Sequence, residues 1–286
     1  MHRLGSNERP DWRLAVVIGA GALGMAAARR LSQRHRVLVA DIDQERAESA
    51  AETLRREGGD AVGFGCDVTA PAAVQALAER TADLGGLGVL AHVAALSPSM
   101  ADFAAIVRVN LTGVALVAES LLPLTQAGSA AILISSLGGH NLQPSDPVER
   151  LLRAPTDPAL AEKLAAELGE AATPAYAYSL AKHGLMAYCR GQAAAWGARG
   201  ARIVSLSPGI IATPMGALEF EKNPRKLQLY ARTPLQREGT MLEIADALEF
   251  LASDKASFIT GTDLLVDGGL GGTLAEDRWT ARAAHA

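Results

Sequence analysis

Between residues 14 and 269 the chain alternates short runs of aliphatic and β-branched residues with longer amphipathic runs, and this rhythm leaves few folds open. The runs "LAVVIG" (14–19), "RVLVAD" (36–41), "DAVGFGCDV" (60–68), "GVLAHVAA" (88–95), "SAAILISS" (129–136), "ARIVSLSPG" (201–209) and "DLLVDGG" (263–269) read as strands. Helical spacing fills the intervals at 22–33, 44–58, 71–85, 101–125, 175–199 and 241–252, with Pro71 early in its helix, where a missing N–H costs nothing. Strands separated by helices of that length do not pair as hairpins. They pair in parallel, and a parallel sheet needs apolar helices on both faces. The expectation is an α/β fold: one doubly wound domain over residues 1–286 around a mostly parallel seven-stranded sheet. Such a sheet binds its ligand beyond the carboxyl ends of its strands, so function should gather just after them.

One segment breaks the rhythm. Residues 142–174, ahead of the helix at 175–199, carry Pro144, Pro147, Pro155, Pro158 and Pro174 as punctuation. Leu160, Leu164 and Leu168 recur every four residues among Glu162, Lys163 and Glu167, which predicts a short amphipathic helix, preceded by another around Val148 to Arg153. A helical insert of this kind serves as a lid or as a contact between subunits. The last dozen residues are expected to fray.

Composition narrows the partners. Apolar residues make up 49% of the chain and aromatic ones 4%, which suits close helix-on-sheet packing better than an aromatic binding surface. A net charge of -4 gives no general pull toward nucleic acid or an anionic membrane. Cys66 and Cys189 lie far apart in no metal-ligand spacing and read as reduced and buried. The scattered His92, His140 and His183 form no HxxxH pair, so no metal is expected. Arg3, Arg9 and Arg13 ahead of "LAVVIGAGALGMAAA" resemble the basic start of an export signal. The three glycines in that run would weaken a leader helix, so a cytoplasmic protein is expected, and no stretch elsewhere reads as long enough to span a bilayer.

Those glycines form "GAGALG" (19–24), a GxGxxG that follows a strand and opens a helix, the context in which this otherwise weak motif binds a dinucleotide. Gly19 permits a tight turn, Gly21 lets the backbone approach a pyrophosphate, and Gly24 lets the helix close on the sheet, with phosphate charge resting on the helix N-terminus. The same glycines also suit a turn with no ligand. Asp41 ends the second strand about twenty residues further on. A carboxylate there accepts hydrogen bonds from both ribose hydroxyls and repels a 2'-phosphate, which favours NAD over NADP, although Arg46 is near enough to reach back. Asp67 and Val68, after the third strand, are placed to hold the adenine edge; Asp67 or Thr69 would equally cap the next helix.

"YAYSLAKH" (176–183) sets Tyr178 and Lys182 four apart, on one helical face. Alone, the spacing also fits an aromatic packed on the stem of a surface lysine. Joined with "GAGALG", "CDV" (66–68), "VNLTG" (109–113), "ISS" (134–136), "SPGIIATPM" (207–215) and "TGTDLLVDGG" (260–269), it completes an ordered series over nearly the whole chain that resembles the short-chain dehydrogenase/reductase family. The resemblance implies a Rossmann-type domain, a nicotinamide cofactor and a catalytic tetrad of Asn110, Ser136, Tyr178 and Lys182, with Ser135 as second choice to Ser136. It further implies cofactor contacts from Gly19, Gly21, Leu23, Gly24, Asp41, Ile42, Asp67, Val68, Ala94, Tyr178, Lys182, Pro208, Gly209, Ile211 and Thr213.

The chemistry agrees with those roles. Interconverting an alcohol and a ketone needs a proton donor and acceptor at the oxygen. A free tyrosine, with a pKa of about 10, is a poor base near neutrality, and a lysine cation beside it favours the phenolate. Lys182 would also hold the nicotinamide ribose, Ser136 would fix the substrate oxygen, and Asn110 would anchor a relay water. Two positions depart from the family: Ile18 stands where a threonine is usual, in a glycine turn one residue shorter, and "HVAA" (92–95) replaces NNAG, losing an asparagine that ties neighbouring strands. The insert, with "AAAWG" and "DGG", is similar to bacterial 3α-hydroxysteroid dehydrogenase/carbonyl reductases, in which such an insert lies near the substrate cleft and the dimer contact. The expected function is an NAD(H)-dependent oxidoreductase acting between a secondary alcohol and a ketone, on an apolar alicyclic or steroid-like substrate, as a homodimer or homotetramer. The alternatives are an NADPH-dependent carbonyl or ketoacyl reductase and a cofactor-sensing protein without turnover.

Overall fold

The computed structural model describes residues 12–213 and 225–283. Its strands are β1 (Leu14–Ile18), β2 (Arg36–Asp41), β3 (Ala61–Gly65), β4 (Leu87–His92), β5 (Thr125–Ile134), β6 (Arg202–Pro208) and β7 (Asp263–Val266). They form one parallel sheet in the order β3-β2-β1-β4-β5-β6-β7. The strand order reverses between β1 and β4, which opens a crevice at their carboxyl ends. The helices are α1 (Ala22–Leu31), α2 (Gln44–Arg56), α3 (Pro71–Asp83), α4 (Phe103–Val107), α5 (Val114–Leu121), α6 (Leu137–His140), α7 (Asp146–Leu152), α8 (Leu160–Leu168), α9 (Pro174–Gly197), α10 (Arg225–Ala231), α11 (Met241–Ala252) and α12 (Leu270–Ala283).

Alternating strand residues feed two cores. Ala15 and Val17 face α1, α2 and α11, while Val16 and Ile18 face α3, α5 and α9. Both sides of β1 are closed from water, which explains why its sequence is a continuous apolar run rather than an alternating one. Leu14–Ile18 is thus an interior strand of the sheet. The helices begin where the sequence supplies caps. The Asp43 carboxylate accepts from the Glu45 and Arg46 amides, Thr173 precedes Pro174 at the start of α9, and Thr240 with Glu243 makes a capping box on α11.

Three expectations need correction. The helix read over 101–125 is α4 and α5 joined by a π-helical turn, Arg108–Gly113, and Thr125 already belongs to β5. Within the turn, a methyl on Gly113 would lie 2.7 Å from Val68 Cγ2, so the glycine admits Val68 against the helix. Second, the run Phe103–Leu124 is long and apolar enough to cross a bilayer by composition, contrary to the sequence reading. Its Ile106, Leu111, Val117 and Leu121 are buried in the core under α9, which accounts for that apolarity. Third, the expected frayed end is helical as far as Ala283, because the Asp267 carboxylate accepts from the Gly269 and Gly271 amides and turns the chain into α12.

The insert is part of the core. Val148, Leu152, Leu160, Ala161 and Leu164 on α7 and α8 are each at most 2% exposed and share a core with Leu111 and Leu185. Gly184 on α9 leaves the space into which Leu111 and Leu152 reach. At its edges, Glu149 hydrogen-bonds His183 of α9 at 2.5 Å, and Glu162 pairs with Arg108. The segment is thus anchored both through its apolar face and at its edges. Leu164→Ala should therefore cost roughly 2–5 kcal/mol in urea unfolding, as for a core leucine. A loss below about 0.5 kcal/mol would show an insert detached from the core.

Candidate active site

The three glycines after β1 answer to different demands. Gly19 has a φ of +101°, and a methyl there would lie 2.9 Å from the Ala94 amide nitrogen. A methyl on Gly24 would sit 1.8 Å from the Gly19 carbonyl oxygen. Gly21 meets nothing within 4 Å, yet it is the residue that starts α1, with no side chain capping the helix. Packing inside the chain explains Gly19 and Gly24 but not Gly21. Open space before uncapped N–H groups is a cradle into which a phosphate fits. Leu23, the second residue of α1, packs part of its side chain against the core shared by α1, α2 and α11.

Asp41 closes β2 at 8% exposure and accepts from the Ala20 amide at 2.8 Å and the Asp43 amide at 3.1 Å. Its carboxylate thus lies against the glycine turn, while the neighbouring Ile42 is 73% exposed. Arg46 does reach back: its guanidinium is 3.6 Å from Asp41. After β3, the Asp67 carboxylate accepts from the Thr69 amide and hydroxyl at 2.8 and 2.7 Å, and Ala70, not Asp67 or Thr69, is the N-cap of α3. Past β4, the Val93 and Ala94 amides both donate to the Ile18 carbonyl, at 2.9 and 2.8 Å. Main chain therefore ties β1 to β4 where the family would use an asparagine side chain.

The two serines after β5 part company. Ser135 is buried and its hydroxyl donates to the Lys182 carbonyl at 2.8 Å. Ser136 is half-buried, caps α6 by accepting from the Gly138 amide at 3.2 Å, and stands with Tyr178: a methyl on Gly138 would lie 3.6 Å from Ser136 Oγ and 3.9 Å from Tyr178 Cε1. Gly139 brings α6 onto α9, since a methyl there would be 2.8 Å from the His183 nitrogen. Lys182 is fully buried, with its ammonium 5.7 Å from the Tyr178 ring centroid and donating to the Ile134 carbonyl at 2.7 Å. Burial lowers its pKa from 10.5 to about 8. Asn110, in the π turn, accepts from the Leu96 amide and donates to the Leu96 carbonyl, both at 2.8 Å. Its amide holds the segment after β4 against the helix.

On the far side, Pro208 ends β6, and the Gly209 amide donates to Val266 at 3.0 Å. A methyl on Gly209 would lie 2.6 Å from Asp267 Cα. Ile211 pairs with Gly239. Thr213 follows, while Pro214 and Met215 of the same motif lie outside the described residues. The carboxyl ends of β1, β2, β4, β5 and β6 thus carry the glycine turn, Asp41, Ala94, the serines and Pro208. Cys66 and Cys189 are free and buried. Sequence reasoning missed the reasons for Gly138 and Gly139, and missed His92, whose ring is buried at the end of β4 with no hydrogen-bond partner for either nitrogen among the described residues. "LGG" and the unusual "HVAA" were the available signals.

Lys182 also carries a stability prediction. Its folded-state pKa near 8 lies below the 10.5 of the exposed side chain, so at pH 7 both states are charged and the cost of burial is felt in full. As pH rises from about 8 to 10.5, the folded group loses its proton first and the cost is relieved. Lys182→Met should then be more stable than the parent at pH 7, by up to about 3 kcal/mol. That advantage should shrink when urea unfolding is repeated near pH 10; an advantage that did not change would contradict the burial argument.

A family model described as enoyl-(acyl carrier protein) reductase matches residues 19–172 and 163–271. The chain is 32% identical to a short-chain dehydrogenase/reductase, bsc3, of Alternaria brassicicola, over 92% of this chain and 97% of that protein. It is 34% identical to cis-4-hydroxycyclohexanecarboxylate dehydrogenase of Sinomonas cyclohexanicum, over 90% and 96%. Among solved structures, a short-chain type dehydrogenase/reductase from Mycobacterium ulcerans superposes with a TM-score of 0.74 at 22% identity, over 91% of this chain and 90% of that one, a likeness of fold. With such relatives along nine-tenths of its length, and its serine, tyrosine and lysine at the carboxyl ends of a parallel sheet, the chain belongs to the short-chain dehydrogenase/reductase family.

Proposed function

We propose that the protein is an NAD(H)-dependent dehydrogenase that interconverts a secondary alcohol and a ketone on an apolar alicyclic substrate. The observation that carries this reading is the buried Lys182 beside Tyr178, with the half-buried Ser136 bordering the same Gly138 as Tyr178. When bound, the nicotinamide supplies or takes up the hydride. Ser136 holds the substrate oxygen, and Tyr178 removes its proton during oxidation and returns it during reduction. The Lys182 cation favours the phenolate. Its ammonium has three N–H donors, of which the Ile134 carbonyl takes one, leaving two for ribose hydroxyls and for water. The Asn110 side-chain amide is taken up by Leu96 on both its atoms, so its part is to hold the segment after β4 in place.

NAD is supported by Asp41, a carboxylate at the end of β2 that a 2'-phosphate would meet with like charge. Arg46 favours the second reading, an NADPH-dependent reductase, because a guanidinium 3.6 Å from Asp41 partly offsets that charge. The alicyclic substrate is supported by the relative that acts on a hydroxycyclohexane carboxylate. Phe250 and Phe258, exposed before the sheet-edge strand β7, support a homodimer or homotetramer. The unpaired buried thiols support a cytoplasmic location.

A panel of hydroxysteroids and cyclic secondary alcohols, assayed with NAD and NADP, tests the reading. Tyr178→Phe should lower turnover at least about 10²-fold while leaving NADH affinity within a few fold; undiminished turnover would remove the assignment. Asp41→Ala should weaken NAD more than NADP, and equal losses for both would overturn the ribose contact.

A further inference from the structure

His92 is the last residue of β4, opposite Ile18 of β1 and Leu133 of β5. Residues directly opposite one another in a sheet point to the same face. Ile18 and Leu133 belong to the core under α9, so the His92 ring points there too, at 1% exposure. Lys182 enters from the same side. Neither ring nitrogen of His92 has a hydrogen-bond partner among the described residues. A nitrogen left so in an apolar interior costs stability unless a buried water serves it.

Burial first, and the Lys182 charge second, hold the His92 pKa down to about 3, against a smaller upward pull from its own backbone. The ring is therefore neutral throughout the physiological range, with one N–H and one lone pair. Ile18 of β1 and Leu133 of β5, which flank His92, carry no charge, and Tyr178 lies beside Lys182 on α9. His183, next along α9, is turned to Glu149. A lysine desolvated as this one is loses its proton easily, and with it the charge that favours the Tyr178 phenolate. A neutral lone pair within reach of one water would oppose that loss without adding a competing charge.

We propose that His92 is a positioning residue for the Tyr178–Lys182 pair: its lone-pair nitrogen and the Lys182 ammonium share one buried water, which keeps the lysine charged and in place beside the tyrosine. This rests on the reading of Tyr178 and Lys182 as the catalytic pair. It gives a role to the "HVAA" departure from the family pattern, since a histidine there places a buried ring on the lysine's side of the sheet, with no side-chain partner for either nitrogen among the described residues.

The test is an ultraviolet pH titration of the Tyr178 phenolate, taken as the difference between each protein and its Tyr178→Phe counterpart. His92→Leu, which has no acceptor, should raise the phenolate midpoint by roughly one pH unit, while His92→Asn, which keeps an acceptor oxygen, should stay near the parent. Identical midpoints in all three proteins, or equal shifts in both variants, would overturn the proposal. If His92→Leu does not fold, His92→Phe replaces it, and failure of both to fold assigns His92 to folding instead. The catalytic reading stands or falls separately, on whether Tyr178→Phe loses turnover.

Discussion

An ammonium held in the protein interior by one carbonyl is the contact around which this molecule is arranged. Lys182 donates to Ile134, the last residue of β5, and Ser135, Ser136 and Tyr178 are within a few residues of that bond. Taking a charge out of water is costly, and burial accordingly pulls the pKa of this ammonium below its ordinary value. Such shifts are typical of functional sites. The surroundings are correspondingly stiff. Ser135 fixes the Lys182 main chain, Gly139 lets α6 lie directly on α9, and the insert closes the outer side through Leu152, Leu164 and the Glu149–His183 bond.

The cofactor side follows from the topology of the sheet. Reversal of strand order between β1 and β4 opens the crevice, and Gly19 lets the turn pass within contact of Ala94. Asp41 is pinned to that turn by the Ala20 amide, so the group that would choose between cofactors and the group that would hold phosphate are one rigid unit. Arg46 sits outside that unit at more than half exposure, where its charge is screened.

The strands were legible because a parallel sheet covered on both faces writes itself as unbroken apolar runs, and Tyr178 and Lys182 were legible because helical spacing puts i and i+4 on one face. What stayed hidden depends on close approach between distant segments. The π turn at Arg108–Gly113 accompanies Asn110 binding Leu96 and Val68 pressing on Gly113, neither of which leaves a periodic mark. Leucine spacing announced α8, yet not that its stripe would join the main core. Ser136 was set ahead of Ser135 by the following "LGG", whereas the physical contrast between them, a buried Ser135 hydroxyl tied to Lys182, is visible only in three dimensions. His92 shows the same limit: its substitution for asparagine was plain, and its burial on the lysine's side of the sheet was not.

Calorimetric titration of NADH into the parent protein, Lys182→Met and Ser136→Ala tests most directly whether the buried ammonium belongs to the cofactor as well as to the tyrosine. A charge-assisted pair of bonds to the ribose predicts a loss of affinity of about tenfold or more in Lys182→Met, with Ser136→Ala within about twofold of the parent. Equal affinity in all three would contradict the account and leave Lys182 a buried charge without a ligand.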